Sequence, residues 1–168
     1  MKIKGSKHLG FTLIELMITI SVAAIILSLA VPSFNFLVLN NRLTTDINRL
    51  VTSLNLARSE AVKRGVRVEV AASDGADWRN GWVVWIDANG DGVLDAGEEI
   101  AVEQALNPSM VLNSVGGVVS FVYQADGSIV GALDTLNLCD NTRTGETGRE
   151  ITVNVTGRIN LNSGFTCP

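Results

Sequence analysis

Positions 16–39 run through 24 residues without a single ionisable side chain. As a helix that stretch is about 36 Å long at 1.5 Å per residue, against a hydrocarbon core of roughly 30 Å. It therefore reads as a membrane helix. Lys2, Lys4 and Lys7 precede it, and Glu15 is the lone charged side chain between Phe11 and Asn41. A secretory signal peptide also places lysines before an apolar run. This run is longer than the usual signal core, and it passes through Pro32, Phe34, Phe36 and Leu37 with no small-x-small cleavage site before a polar start. The lysines put the N-terminus in the cytoplasm, so whatever follows Asn40 is expected across the membrane, which in a bacterium is the periplasm.

The 168 residues, 46% hydrophobic and 18% charged, exclude a disordered or fibrous chain and suit one core. A formal net charge of −4 excludes a protein that coats nucleic acid by charge alone. Cys139 and Cys167 are the two cysteines, and neither has a metal-type partner nearby in sequence. A disulfide suits an oxidising compartment and is worth about 3 to 4 kcal/mol in the chain-entropy picture. Two buried free thiols are the alternative.

Past the apolar run, Leu43, Ile47, Leu50, Leu54, Ala57 and Ala61 recur at steps of three and four, while Arg42, Asp46, Arg49, Arg58 and Lys63 fill other faces. One helix over 11–64 is expected, bent at Pro32 and stopped at Gly65, with Lys63 and Arg64 suiting its negative end. From Val66 the period falls to two, and β-type runs follow at 66–70, 82–87, 99–104, 118–123, 150–155 and 158–161. Asn89-Gly90, Asp91-Gly92, Asp126-Gly127 and Thr156-Gly157 mark turns between them. Strands without intervening helices favour an antiparallel sheet covered by the amphipathic helix face.

Gly10-Phe11-Thr12-Leu13-Ile14-Glu15-Leu16-Met17 resembles the processing signal of type IV pilins and type II secretion pseudopilins. In that superfamily a membrane peptidase cuts after the glycine and methylates the new N-terminal Phe. The resemblance implies cleavage between Gly10 and Phe11. Losing the three leader lysines would move the formal net charge from −4 to −7. It also implies that Glu15 pairs with the N-terminal amine of a neighbouring subunit during assembly. A carboxylate one turn into a membrane helix is costly unless it finds a cation or reaches the interface, so an interfacial Glu15 with no specific partner is the simpler alternative.

Positions 56–64, Leu-Ala-Arg-Ser-Glu-Ala-Val-Lys-Arg, and 81–87, Gly-Trp-Val-Val-Trp-Ile-Asp, resemble the H-type pseudopilins (GspH) and the FimT/FimU-type minor pilins. The tail with Leu138-Cys139-Asp140, Gly148-Arg149-Glu150-Ile151, Gly157-Arg158-Ile159 and Cys167 is nearer the FimT/FimU side. The fold implied is α+β and pilin-like: a long N-terminal transmembrane and amphipathic helix packed on a C-terminal antiparallel β-sheet domain. Its expected divisions are a cleaved cytoplasmic leader (1–10), a transmembrane half-helix (11–39), a periplasmic amphipathic half (40–65) and a β-rich domain (66–168).

Asp87, Asn89, Asp91, Asp95 and Glu98 match the spacing of an EF-hand calcium loop, yet β-type runs flank them where helices should. A tight acidic hairpin explains them equally, since Asn-Gly and Asp-Gly suit turns with positive φ. Calcium is the one candidate cofactor. Arg143, Arg149 and Arg158 are candidate nucleic-acid contacts, because some FimT-like relatives bind DNA through a Gly-Arg-x-Arg segment. Here the second arginine of that segment is Asn160, which removes one phosphate contact, and a solvated strand edge is the alternative. Trp82 and Trp85 differ by three and face opposite sides of a strand, one toward the core and the other expected as an exposed contact.

Catalysis finds no support in the sequence. The single histidine, His8, falls in the leader, and no serine sits in a nucleophile elbow. The expected role is a minor pilin or pseudopilin, a structural subunit of a type IV pilus or type II secretion pseudopilus. Its expected partners are the prepilin peptidase, the assembly platform, other pilins or pseudopilins and the inner membrane. A DNA-binding minor pilin acting in DNA uptake is the alternative.

Overall fold

The structure, a computed structural model, describes residues 10–131, 133–142, 145 and 147–167, apart from the side chains of 31–33. The chain divides into two compact units, one ending at Leu39 and the other running Asn40–Pro168. Helix α1, Leu13–Arg64, contributes to both.

In the first unit the helix leaves its apolar side chains uncovered: Leu13, Ile14, Leu16, Ile25 and Leu29 are all exposed. Its most apolar window has a mean hydropathy of 2.4 with none of it buried, long and apolar enough to cross a membrane. The hydroxyls of Thr19, Ser21 and Ser28 donate to the carbonyls of Leu16, Met17 and Ile25 at 2.7–2.8 Å. Those polar groups are thus satisfied by the helix itself, as an apolar solvent requires. Helical backbone continues through position 32, where proline forfeits a hydrogen bond without ending the helix.

In the second unit the period of three and four becomes a buried stripe. Leu43, Ile47, Leu50, Leu54, Ala57 and Ala61 are each no more than 1% exposed. Burying each leucine or isoleucine contributes about 1.5–3 kcal/mol. The helix ends where expected: Gly65 adopts φ 68° and donates its N–H to Ala61 O, the left-handed cap that glycine tolerates best.

Nine strands follow among the described residues: β1 Val68–Ala72, β2 Trp82–Trp85, β3 Glu99–Glu103, β4 Met110–Ser114, β5 Ser120–Tyr123, β6 Ile129–Val130, β7 Thr135–Asp140, β8 Arg149–Val153 and β9 Ile159–Asn162. They form two antiparallel sheets, ordered β3-β2-β1-β5-β6 and β4-β7-β8-β9, where the sequence suggested one. Buried Asp134 sits at the crossing between them. Its carboxylate accepts the N–H groups of Gly116 (2.7 Å), Val118 (3.3 Å) and Thr135 (2.7 Å) and the Ser114 hydroxyl. These bonds hold the segment that leaves β4 in one sheet and enters β5 in the other. Burial pushes the Asp134 pKa up, but the hydrogen bonds outweigh it and hold the group below the ordinary carboxylate range.

Trp78 lies in a short 3-10 turn, Trp78–Asn80, packs on Phe121 with ring centroids 5.7 Å apart, and donates Nε1–H to Val118 O. Register places Trp82 opposite Ala72 and Trp85 opposite Glu69, so the two rings do face opposite sides. The expectation that one would be exposed fails, because Trp85 is only 4% exposed and Trp82 is fully buried.

Candidate functional site

The processing motif sits at the start of α1. Gly10 and Phe11 are exposed and non-helical, and a Cβ built on Gly10 meets nothing within 4 Å. Among the described residues, no packing calls for a glycine there. Thr12 caps the helix: its Oγ1 accepts the Glu15 N–H at 3.3 Å, and the Glu15 carboxylate accepts the Thr12 N–H at 3.4 Å. This reciprocal capping box satisfies two N–H groups that begin a helix without partners. Glu15 therefore has a structural partner within its own chain, one that sequence reasoning missed even though Thr-x-x-Glu was visible. The leader residues 1–9 lie outside the described residues.

All five candidate calcium ligands fall in one exposed loop between β2 and β3. Asp87 accepts the N–H groups of Gly90, Asp91 and Gly92 at 2.7–3.1 Å. The Asn89 amide donates to Asp91 (3.0 Å) and Asp95 (2.9 Å), and Glu98 accepts from Ala88 N–H and Asp95 N–H. The oxygens that would face an ion are the acceptors that fold the loop. Among the described residues, no group of three or more His, Cys, Asp or Glu side chains is disposed to hold a metal ion.

Two of the three candidate DNA-contacting arginines, Arg149 and Arg158, fall among the described residues. Arg149 turns inward, donating to the carbonyls of Thr147 and Gly148 and to Thr44 Oγ1 on α1. Arg158 is exposed at the end of the β8–β9 turn. Arg143 lies outside the described residues. The glycine of the Gly157-Arg158 segment has a packing role: a Cβ there would collide with Gly127 O and crowd the Tyr123 ring. Its φ of 70° is also a conformation that side chains disfavour.

Cys139 and Cys167 are joined by a disulfide with Cα atoms 5.9 Å apart. The bond fastens the segment after β9 to β7, supported by Gly148 N–H donating to Phe165 O at 2.7 Å and a bridge between Thr147 and Thr166. Gly148 lies against both sulfur atoms, where a Cβ would clash.

Two arginines that periodicity puts on the other faces of α1, away from its apolar stripe, reach the sheets. Arg49 donates to Glu103 Oε2 (2.8 and 3.0 Å) and Gln104 O (3.1 Å), pairs with Asp46 and lies over the Trp82 ring at 5.5 Å. Arg58 donates to Gly127 O (3.1 Å) in the β5–β6 turn and to Thr156 O (3.0 Å) in the β8–β9 turn, joining both sheets to the helix. Beside it, burial pushes the Tyr123 hydroxyl up to about 12, with the Arg58 charge opposing.

Residues 46–157 match the family model described as type II transport protein GspH, and residues 5–31 match the prokaryotic N-terminal methylation motif. The crystal structure of the type IV minor pilin FimU of Pseudomonas aeruginosa superposes with a TM-score of 0.65 at 25% identity, covering 76% of this chain and 94% of FimU. The minor pseudopilin EpsH of the Vibrio cholerae type 2 secretion system shares the fold, with a TM-score of 0.56 at 14% identity, covering 71% of this chain and 95% of EpsH. The pilin-like protein PilA1 of Thermus thermophilus is 33% identical over 93 residues, 54% of this chain. That match spans about half the length of PilA1, 55%.

Proposed function

We propose, from the premise that this chain belongs to the GspH family, that it is a structural, non-catalytic subunit of a type IV pilus or type II secretion pseudopilus. One observation carries the reading. A methylation motif heads an apolar half-helix whose Leu13, Ile14, Leu16, Ile25 and Leu29 side chains are exposed, while the rest of the chain folds as a self-contained pilin-type domain.

The mechanism follows from that division. The uncovered half-helix sits in the inner membrane with the domain on the periplasmic side, then exchanges lipid for neighbouring helices as the filament grows. A prepilin peptidase removes the leader at the exposed Gly10–Phe11 bond. Among the described residues nothing packs against position 10, so a processing step is the reading that explains its glycine. The capping box keeps Glu15 at the helix start, beside the amine that cleavage creates at Phe11. During assembly, that carboxylate pairs with the N-terminal amine of the adjacent subunit.

Mass spectrometry of the chain recovered from its host tests this: a mature form beginning with methylated Phe11 is expected. Gly10→Val should leave the leader attached and exclude the chain from filaments. Wild-type protein with an intact leader, or normal incorporation of Glu15→Ala, would overturn the reading.

DNA uptake gains no support from the geometry, since Arg149 is held by its own domain and Gly157 serves turn packing. We read the 87–98 loop as a hairpin closed by its own hydrogen bonds.

A further inference from the structure

Asn-Gly occurs twice in the sequence, at 80–81 and 89–90. Such a pair is chemically labile. The glycine nitrogen attacks the asparagine side-chain carbonyl carbon, and no Cβ on the glycine obstructs the ring that forms. The structure treats the two pairs differently.

Asn80 closes the 3-10 turn, and its amide donates to Asp74 Oδ2 at 2.6 Å. Gly81 is buried, donates its N–H to Trp78 O and lies so close to Glu103 O that a Cβ would collide. That packing leaves its backbone no room to swing toward the amide.

Asn89 and Gly90 are exposed, and a Cβ built on Gly90 meets nothing within 4 Å. The loop also addresses each reacting atom. The attacking nitrogen, Gly90 N, donates its hydrogen to Asp87 Oδ1 at 2.7 Å. The attacked carbonyl oxygen, Asn89 Oδ1, accepts the Asp91 N–H at 3.0 Å, a hydrogen shared with Asp87 Oδ1 at 3.1 Å. The departing nitrogen, Asn89 Nδ2, lies between the carboxylates of Asp91 and Asp95 at 3.0 and 2.9 Å. These are a base on the nucleophile, a donor where negative charge develops, and anions beside a nitrogen that must gain a proton to leave. Carboxylates near a developing oxyanion oppose it. Here the group in contact with that oxygen is an N–H, and the Asp91 and Asp95 carboxylates contact the nitrogen instead.

We propose that the 87–98 loop promotes the deamidation of its own Asn89. Gly90 N bonds to Asn89 Cγ as its proton passes to the Asp87 carboxylate. The Cγ–Nδ2 bond then breaks, and the nitrogen takes up that proton and departs as ammonia, leaving a succinimide. Water opens the ring at either carbonyl, giving aspartate or isoaspartate at position 89. One water enters, one ammonia leaves, and nothing is oxidised or reduced. The product puts a carboxylate where an amide donor had joined Asp91 to Asp95, so those two hydrogen bonds are lost and the loop loosens irreversibly. This chemistry goes beyond the subunit reading and stands independently of it.

The test incubates the purified full chain at neutral pH, folded in detergent and unfolded in guanidinium chloride, and follows aspartate and isoaspartate at 80 and 89 by peptide mass spectrometry. Unfolded, the two pairs should convert at similar rates. Folded, position 89 should convert at least about tenfold faster than 80, and faster than it does unfolded. Asp87→Asn keeps an acceptor and removes the base, so it should slow folded conversion at 89 about tenfold with melting temperature unchanged, and Asp87→Glu should recover part of the rate. Folded conversion at 89 no faster than at 80 or than in denaturant, or an Asp87→Asn rate equal to wild type, would overturn the proposal. If Asp87→Asn disturbs the fold, the comparison of folded with unfolded wild-type chain still decides it.

Discussion

The two halves of α1 obey the same helical geometry and opposite solvation rules. Before Leu39, apolar residues are exposed along the helix, Leu13, Ile14, Leu16, Ile25 and Leu29 among them; after Asn40, Leu43, Ile47, Leu50, Leu54, Ala57 and Ala61 form one buried stripe. A helix apolar on every side needs an apolar solvent, whereas one with an apolar stripe makes its own core from the chain that follows. The contrast teaches that stability resides in the second half and location in the first.

The sharpest way to break the comparison is a matched pair of truncations, measured by denaturant unfolding of the full chain in detergent. Leu54→Ala, at a site with no exposure, should cost the domain about 4 kcal/mol, whereas Ile25→Ala should leave its midpoint unchanged. Equal effects would mean that the halves are not energetically separate.

Cys139→Ser should cost about 3 kcal/mol by releasing the C-terminal segment, and hydrogen exchange should rise in β7 and after β9. Arg58→Ala should cost about 2 kcal/mol through two lost charge-assisted bonds to turn carbonyls, and Arg58→Lys should recover only part of it.

Acid titration sharpens the contrast further, because positions 16–39 have nothing to titrate. Backbone N–H bonds from Asp77 and the Asn80 side chain hold the Asp74 pKa down at about 2, and Asp134 is also lowered. Carboxylates with depressed folded pKa values stabilise above their unfolded values and lose that contribution as pH falls through the folded ones. Domain stability should therefore decline from about pH 4 to about pH 2, while helicity of the apolar half holds, as read by circular dichroism. The smallest effect is expected from calcium: with Asp87 and Glu98 already accepting N–H groups, neither the ion nor a chelator should shift the melting temperature.

Much of this was legible in the residues. The steps from Leu43 to Ala61 marked the buried stripe, Gly65 its end, and the runs near 82, 99, 120, 150 and 159 their strands. β4 and β7 were missed although Met110 and Leu112, and Leu136 and Leu138, alternate inward; both strands carry an asparagine, Asn113 and Asn137, a residue type that strands disfavour. β6 has only two residues and gives no periodic signal. In the candidate site, the processing motif was readable because it is contiguous. The fate of the arginines was not, since Arg58 meets Gly127 and Thr156 across 69 and 98 residues.

Sequence alone determined the membrane-length apolar run, the processing motif, the amphipathic stripe and the strand-rich remainder, because each is a local pattern of residue types. Tertiary structure decided the split into two sheets, the commitment of Arg49, Arg58 and Arg149 and the burial of Trp85. Those depend on register and on contacts between distant segments, and the energy of such contacts is absent until the chain has closed on itself.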